Sequence, residues 1–108
     1  MTTATAVNTV TAIGSSGAQY SFNVYPWGTT FKAVGAVYLV LRQGNPSFDL
    51  LYVGQTDDLS SRFDSHHKQP CFDRKGRTHI AALVEPSEKR RLQIESDLVT
   101  KHQPSCNG

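Results

Sequence analysis

Charge is missing from the start of this chain. No Asp, Glu, Lys, Arg or His precedes Lys32 among its 108 residues. No basic start followed by an apolar block is therefore present, and a secretory signal is not expected. No apolar run is long enough to span a bilayer, so no membrane association is expected. Cysteine is scarce: Cys71 and Cys106 form no CxxC pair. Free thiols in a reducing cytosol are the simplest reading, with a Cys71–Cys106 bridge as the second, and a cytoplasmic location follows from the first. Net charge is only +2, too small to indicate nucleic-acid binding by itself. What is present, 38% hydrophobic and 19% charged residues, lies within the globular range, and this length makes one domain.

Residues 2–19 are mostly Thr, Ala, Val, Ser and Gly without a clear period. Residues 1–19 read as a flexible tail with some strand character. Residues 20–34 form an aromatic-rich extension holding Tyr20, Phe22, Tyr25, Trp27 and Phe31, five of the ten aromatics. These rings either cap the core or offer a base-stacking platform. Ser21–Tyr25 alternates as a strand, and Pro26-Trp27-Gly28 stops it. Gly35–Arg42 and Asp49–Gly54 read as a hairpin around a Gln43–Ser47 turn. Leu59, Arg62, Phe63 and His66 share one face of a helix expected over Asp57–His67. Gln69–Arg77 reads as a basic loop and Thr78–Val84 as a strand. Pro86-Ser87 opens a second helix that runs to about His102. The order implies an α+β fold: a small, largely antiparallel three-stranded sheet flanked by helices, with an added N-terminal strand.

Several residues admit a chemical reading beside an ordinary packing one, which for a cross-strand tyrosine pair is sheet packing and for Arg62 and His66 is cover for the core. A symmetric hairpin turn centred on Asn45 places Tyr38 opposite Tyr52, with two hydroxyls on one face. Leu92, Ile94, Leu98 and Val99 define an apolar arc on the last helix, and Glu95 falls inside it. A carboxylate there is costly unless it is paired or binds a metal. Arg91, one turn earlier, offers an ordinary ion pair. Arg62 and His66 flank the apolar line of the preceding helix. Together these groups suit phosphate chemistry: Arg neutralises phosphate, Glu holds a divalent cation, and Tyr or His handles a proton.

In order and spacing these residues resemble the GIY-YIG nuclease superfamily. The motifs are Ala36-Val37-Tyr38, Tyr52-Val53-Gly54, Leu59 with Arg62 and His66, Glu95 in Gln93-Ile94-Glu95, and Asn107. The resemblance places a nuclease domain at 35–108 and implies a metal-dependent endonuclease acting on DNA phosphodiesters. It implies Glu95 as ligand of one divalent cation, Mg²⁺ or Mn²⁺. Tyr38 would be the water-activating base and Tyr52 would position the phosphate or share the proton path. Arg62 would stabilise charge, His66 would bind phosphate or relay a proton, and Asn107 would brace the site. Ala36 stands where the family usually has Gly, and Gln55 where many members carry Lys.

Lys68, Arg74, Lys75 and Arg77 are candidate nucleic-acid contacts. DNA is expected over RNA, with a homodimer or partner protein to supply targeting. A catalytically weak nucleic-acid-binding module and a protein-interaction module using the aromatic N-terminus are the competing classes. A zinc site from His66, His67, Cys71, His79, His102 and Cys106 matches no common ligand spacing.

Overall fold

The computed structural model describes residues 8–44, 47–64 and 66–107. Its elements are β1 (Asn8–Ile13), β2 (Gln19–Pro26), β3 (Ala36–Gln43), β4 (Phe48–Thr56), α1 (Gln69–Lys75), β5 (His79–Val84) and α2 (Glu88–His102). All five strands join one antiparallel sheet in the order β1-β2-β5-β3-β4. The α+β class stands, but the expected three-stranded sheet with one added strand is corrected to five strands. The error lay in residues 8–13. Their Thr and Val form β1, although uncharged and weakly patterned sequence reads as tail; residues 1–7 lie outside the described residues.

The β1–β2 hairpin is pinned to α2 rather than appended to the domain. Gly17, at φ 87°, closes the turn in a conformation that glycine adopts at little cost. Asp97 of α2 accepts hydrogen bonds from the Ser16 amide, the Ser16 hydroxyl and the Tyr20 hydroxyl at 2.7–2.8 Å. His102 Nε2 donates to the Ile13 carbonyl at 2.8 Å. These contacts join the first strands to the last helix.

β3 lies between β5 and β4, so both its edges are paired, and with a core cluster on each face Ala36–Leu41 are all buried. One side packs Phe22, Val24, Val37, Leu39, Leu41, Val53, Ile94 and Leu98 under α2. The other gathers Ala36, Tyr38, Val40, Tyr52, Leu59, Phe72 and Cys106. On α2, Leu92 does not join the core: it is 46% exposed, while Arg91, Ile94 and Leu98 are buried. Ser87 caps α2 by accepting from the Arg90 amide at 3.2 Å.

The expected Asp57–His67 helix is not found among the described residues of that range, which leave out Ser65; Leu59–Asp64 form turns. Asp58 Oδ1 takes the Ser60 amide and hydroxyl, and Thr56 Oγ1 takes the Asp58 amide. Such local bonds compete with helical ones, in a stretch rich in Asp, Ser and His. The helix forms one segment later, where a basic loop was expected. Pro70 lies in the first turn of α1 and Gly76 ends it at φ 77°, the proline-first, glycine-last asymmetry of a short helix.

Candidate active site

The hairpin register departs from the expected symmetry. Tyr38 faces Gly54, and Tyr52 faces Val40. The offset is two residues, which keeps both tyrosines on one face; a one-residue slip would have separated them. The ladder is irregular between Val40 and Leu41, where Leu51 is the extra residue on β4. The two rings lie 6.0 Å apart and nearly parallel. Gly54 permits this arrangement, since a Cβ there would come 2.5 Å from the Tyr38 hydroxyl oxygen. Ala36, where the family pattern has Gly, is fully buried among the neighbours of Tyr38. The close approach falls at Gly35, where a Cβ would meet the Arg91 guanidinium and lie 3.0 Å from the Glu85 carbonyl.

Two cationic-type side chains converge on Tyr38. Arg62 Nε donates to the Tyr38 hydroxyl oxygen at 2.9 Å, and His66 Nε2 lies 2.7 Å from it. The Lys68 amide donates to His66 Nδ1 at 3.0 Å. Nδ1 is therefore unprotonated, and the neutral ring carries its proton on Nε2, pointing at Tyr38. Burial, helped by the Arg62 charge, holds the His66 pKa down to about 4, so the ring is neutral at ordinary pH. Burial also raises the Tyr38 pKa well above its usual value, with Arg62 opposing. Tyr38 is wholly enclosed, whereas Tyr52 keeps 8% exposure. Desolvation raises Tyr52 as well; Arg62 pulls it back and Glu95 raises it further.

Glu95 projects from the opposite layer, yet its charge is felt by both tyrosines. Its carboxylate lies beside the backbone amide of Gln55 on β4, the edge strand. The expected Arg91 ion pair is not formed. Arg91 is buried and gives its Nε to Gln55 Oε1 at 3.0 Å and its Nη1 to the carbonyls of Glu85 and Pro86 at 2.9 Å. Glu95 has no salt-bridge partner among the described residues. Its pKa is raised by desolvation, against a smaller opposing pull from the Gln55 amide.

Asn107 holds the edge of β4 from the C-terminal segment. Its Nδ2 donates to the Val53 carbonyl and its Oδ1 accepts from the Val53 amide, both at 2.9 Å. The Cys106 amide adds a bond to the Leu51 carbonyl at 2.9 Å. Cys106 is bonded to Cys71, which corrects the expectation of free thiols. The bridge ties the tail bearing Asn107 to α1, next to His66. It also removes both cysteines from any zinc site. Among the described residues no group of three His, Cys, Asp or Glu could hold a metal.

Tyr38, Tyr52, Arg62 and His66 thus come together, Glu95 stands apart on α2 beside the Gln55 amide, and Asn107 braces the strand that carries Tyr52. The candidate nucleic-acid contacts separate. Arg74 and Lys75 are exposed in the last turn of α1. Lys68 is half-buried and serves His66 through its backbone. Arg77 stacks over Trp27 at 4.2 Å and pairs with Asp73 at 3.3 Å. Phe63 was missed as a site residue, although its place beside Arg62 pointed to it; its ring meets Tyr38 edge-on at 5.0 Å. An open groove of about 1000 Å³ lies elsewhere, between the β1–β2 turn and α2, lined by Ser16, Tyr20, Leu92 and Asp97. It includes none of the candidate catalytic groups. Comparison of the chain with protein-family models, curated proteins and solved structures found no match.

Proposed function

We propose that the chain is a metal-dependent endonuclease that hydrolyses DNA phosphodiester bonds at the Tyr52–Arg62–Glu95 face, as its resemblance to the GIY-YIG superfamily implies. The observation that carries this reading is the Tyr38 cluster, with Arg62 Nε at 2.9 Å and His66 Nε2 at 2.7 Å from its hydroxyl, together with Glu95, a partly desolvated carboxylate with no salt-bridge partner among the described residues. Desolvation makes the charge of such a carboxylate costly, which is a mark of functional groups. The donor set fits a hard divalent cation, Mg²⁺ or Mn²⁺, held by one carboxylate and completed by water and phosphate oxygens. When bound, the metal supplies Lewis-acid polarisation and a more acidic water.

The chain's own residues do the rest. Arg62 gives its Nε to Tyr38, and its terminal Nη groups would turn to a phosphate oxygen, where they offset charge developing in the transition state. Tyr52, the less enclosed of the two tyrosines, orients the phosphate or the attacking water. Tyr38 sits behind it as the proton-accepting partner, and the two N–H groups aimed at its oxygen favour its ionised form against the cost of burial. His66 holds Tyr38 rather than touching substrate, and Asn107 fixes the strand that carries Tyr52. The cytoplasmic location proposed with this function loses its support from free thiols, since disulfides persist mainly in oxidising compartments. A partner protein or a homodimer would supply targeting.

The test is incubation with end-labelled single-stranded, duplex and branched oligonucleotides in Mg²⁺ or Mn²⁺, with and without chelator. Cleavage that leaves 5′-phosphate ends and stops with chelator is expected. Intact substrate in every arm, from a folded protein, would contradict the proposal.

A further inference from the structure

The aromatic-rich segment divides in the fold. Tyr20 and Phe22 turn into the core beneath α2. Tyr25, Trp27 and Phe31 turn to the catalytic side and stay half-buried, together with Phe63. These four rings form a chain that begins at the site. Phe63 meets Tyr38 at 5.0 Å, Trp27 meets Phe63 at 5.6 Å, Phe31 meets Phe63 at 6.4 Å, and Tyr25 meets Phe31 at 5.1 Å. Phe31 sits in a segment with no regular structure between β2 and β3. Core capping alone would use aliphatic side chains equally well, and four partly exposed aromatics in one patch are costly to solvate.

Charge accompanies the rings. The Arg77 guanidinium lies 4.2 Å over the Trp27 ring, and its Nε is buried without a partner among the described residues. Between Arg62 and Arg77 there are five Lys or Arg against two Asp. Alternating cations and aromatic faces are what an unpaired nucleic-acid strand requires: phosphates meet the cations while bases stack on rings. In a duplex the bases are already stacked and paired, so these rings would have nothing to take.

We infer that the Trp27–Phe31–Phe63 patch, with Arg77, is a base-stacking subsite that binds an unpaired stretch of DNA next to the scissile phosphate. The inference rests on the proposed nuclease reading for its orientation: the strand would run from Arg62 over Phe63 towards Trp27.

Trp27 is the only tryptophan, so its emission reports the subsite directly. The full chain is titrated in EDTA with an oligothymidylate, with an abasic strand of equal length and phosphate count, and with a duplex of that length. The expected result is quenching by oligothymidylate and affinity at least about tenfold above the abasic strand, with no quenching by the duplex. Equal affinity for the base-bearing and abasic strands, or unchanged emission with oligothymidylate, overturns the inference. Anisotropy of labelled oligothymidylate then compares Trp27→Phe, which keeps a ring, with Trp27→Leu, which does not. Retention by the first and a loss of about tenfold by a folded second are expected; equal affinity of both variants would overturn the stacking role. Cleavage in Mg²⁺ is scored separately. Quenching without cleavage sinks the nuclease reading alone, and duplex cleavage without quenching sinks the subsite alone.

Discussion

The two sides of the sheet are built for different purposes. The side under α2 is mainly aliphatic: Val37, Leu39, Leu41 and Val53 meet Ile94 and Leu98. The other side buries two tyrosines and a histidine, with an arginine at their edge. Burying apolar area stabilises a fold by roughly 25 cal/mol per Å², and the first side does this with few polar atoms to satisfy. The second spends hydrogen bonds to keep polar groups dry. The difference teaches where to look for chemistry in a small domain: on the face whose groups are held against their own solvation.

The largest expected effect comes from Glu95→Gln. If Glu95 holds the proposed cation, its loss should slow cleavage about a hundredfold or more, since metal stabilisation contributes several kcal/mol. Because the folded-state pKa of Glu95 is raised, its charge costs stability at neutral pH. The variant should therefore melt at the same temperature or higher. A lowered melting temperature with unchanged cleavage would return Glu95 to an ordinary packing role.

Removing the bridge by Cys71→Ser with Cys106→Ser comes next. Opening a loop whose ends are 35 residues apart should cost about 4 kcal/mol on the chain-entropy account. Denaturant titration reads this. Asn107 and α1 both depend on the bridge, so cleavage should fall with stability. A variant of full stability would show that hydrogen bonding alone holds the tail.

The pH dependence separates the titrating groups. With Tyr38 as proton acceptor and its pKa raised, the cleavage rate should climb about tenfold per pH unit through pH 9. A plateau beginning near pH 5 would pass the role to His66, whose pKa is about 4. The smallest effect is on stability. His66 is depressed from 6.5 to about 4, so the unfolded chain binds the extra proton between those values. Stability should therefore fall as pH drops through that window, and His66→Gln should flatten that part of the profile. Denaturation midpoints at pH 7 and pH 5 check it.

Much of this was legible in the sequence, for physical reasons that differ by element. β3 and β5 announce themselves by β-branched runs, and α2 by Ser87 and Pro104 at its ends. The candidate site residues drew notice because each is an unusual type for its surroundings, as with Glu95 on an apolar arc; that the two tyrosines share a face was read correctly, though their register is two residues off. Hidden features depended on distant partners. β1 carries little pattern of its own and is held by Asp97 and His102. The Cys71–Cys106 bond needs α1 and the tail side by side. The Asp57–His67 helix was overruled by the side chains of Thr56 and Asp58, and Arg91 chose backbone carbonyls over Glu95.

Tyr52 and Val53 are neighbours on β4 that point to opposite sides. The cleavage rate per folded molecule, measured for Tyr52→Phe and Val53→Ala beside the unaltered chain, compares the two faces directly. Tyr52→Phe keeps the ring and should leave stability within about 1 kcal/mol, while its rate falls at least about tenfold. Val53→Ala should lose roughly 2 kcal/mol of stability and keep its rate once the unfolded fraction is allowed for. Equal rates in both variants would make the tyrosine face a second packing layer and contradict the account.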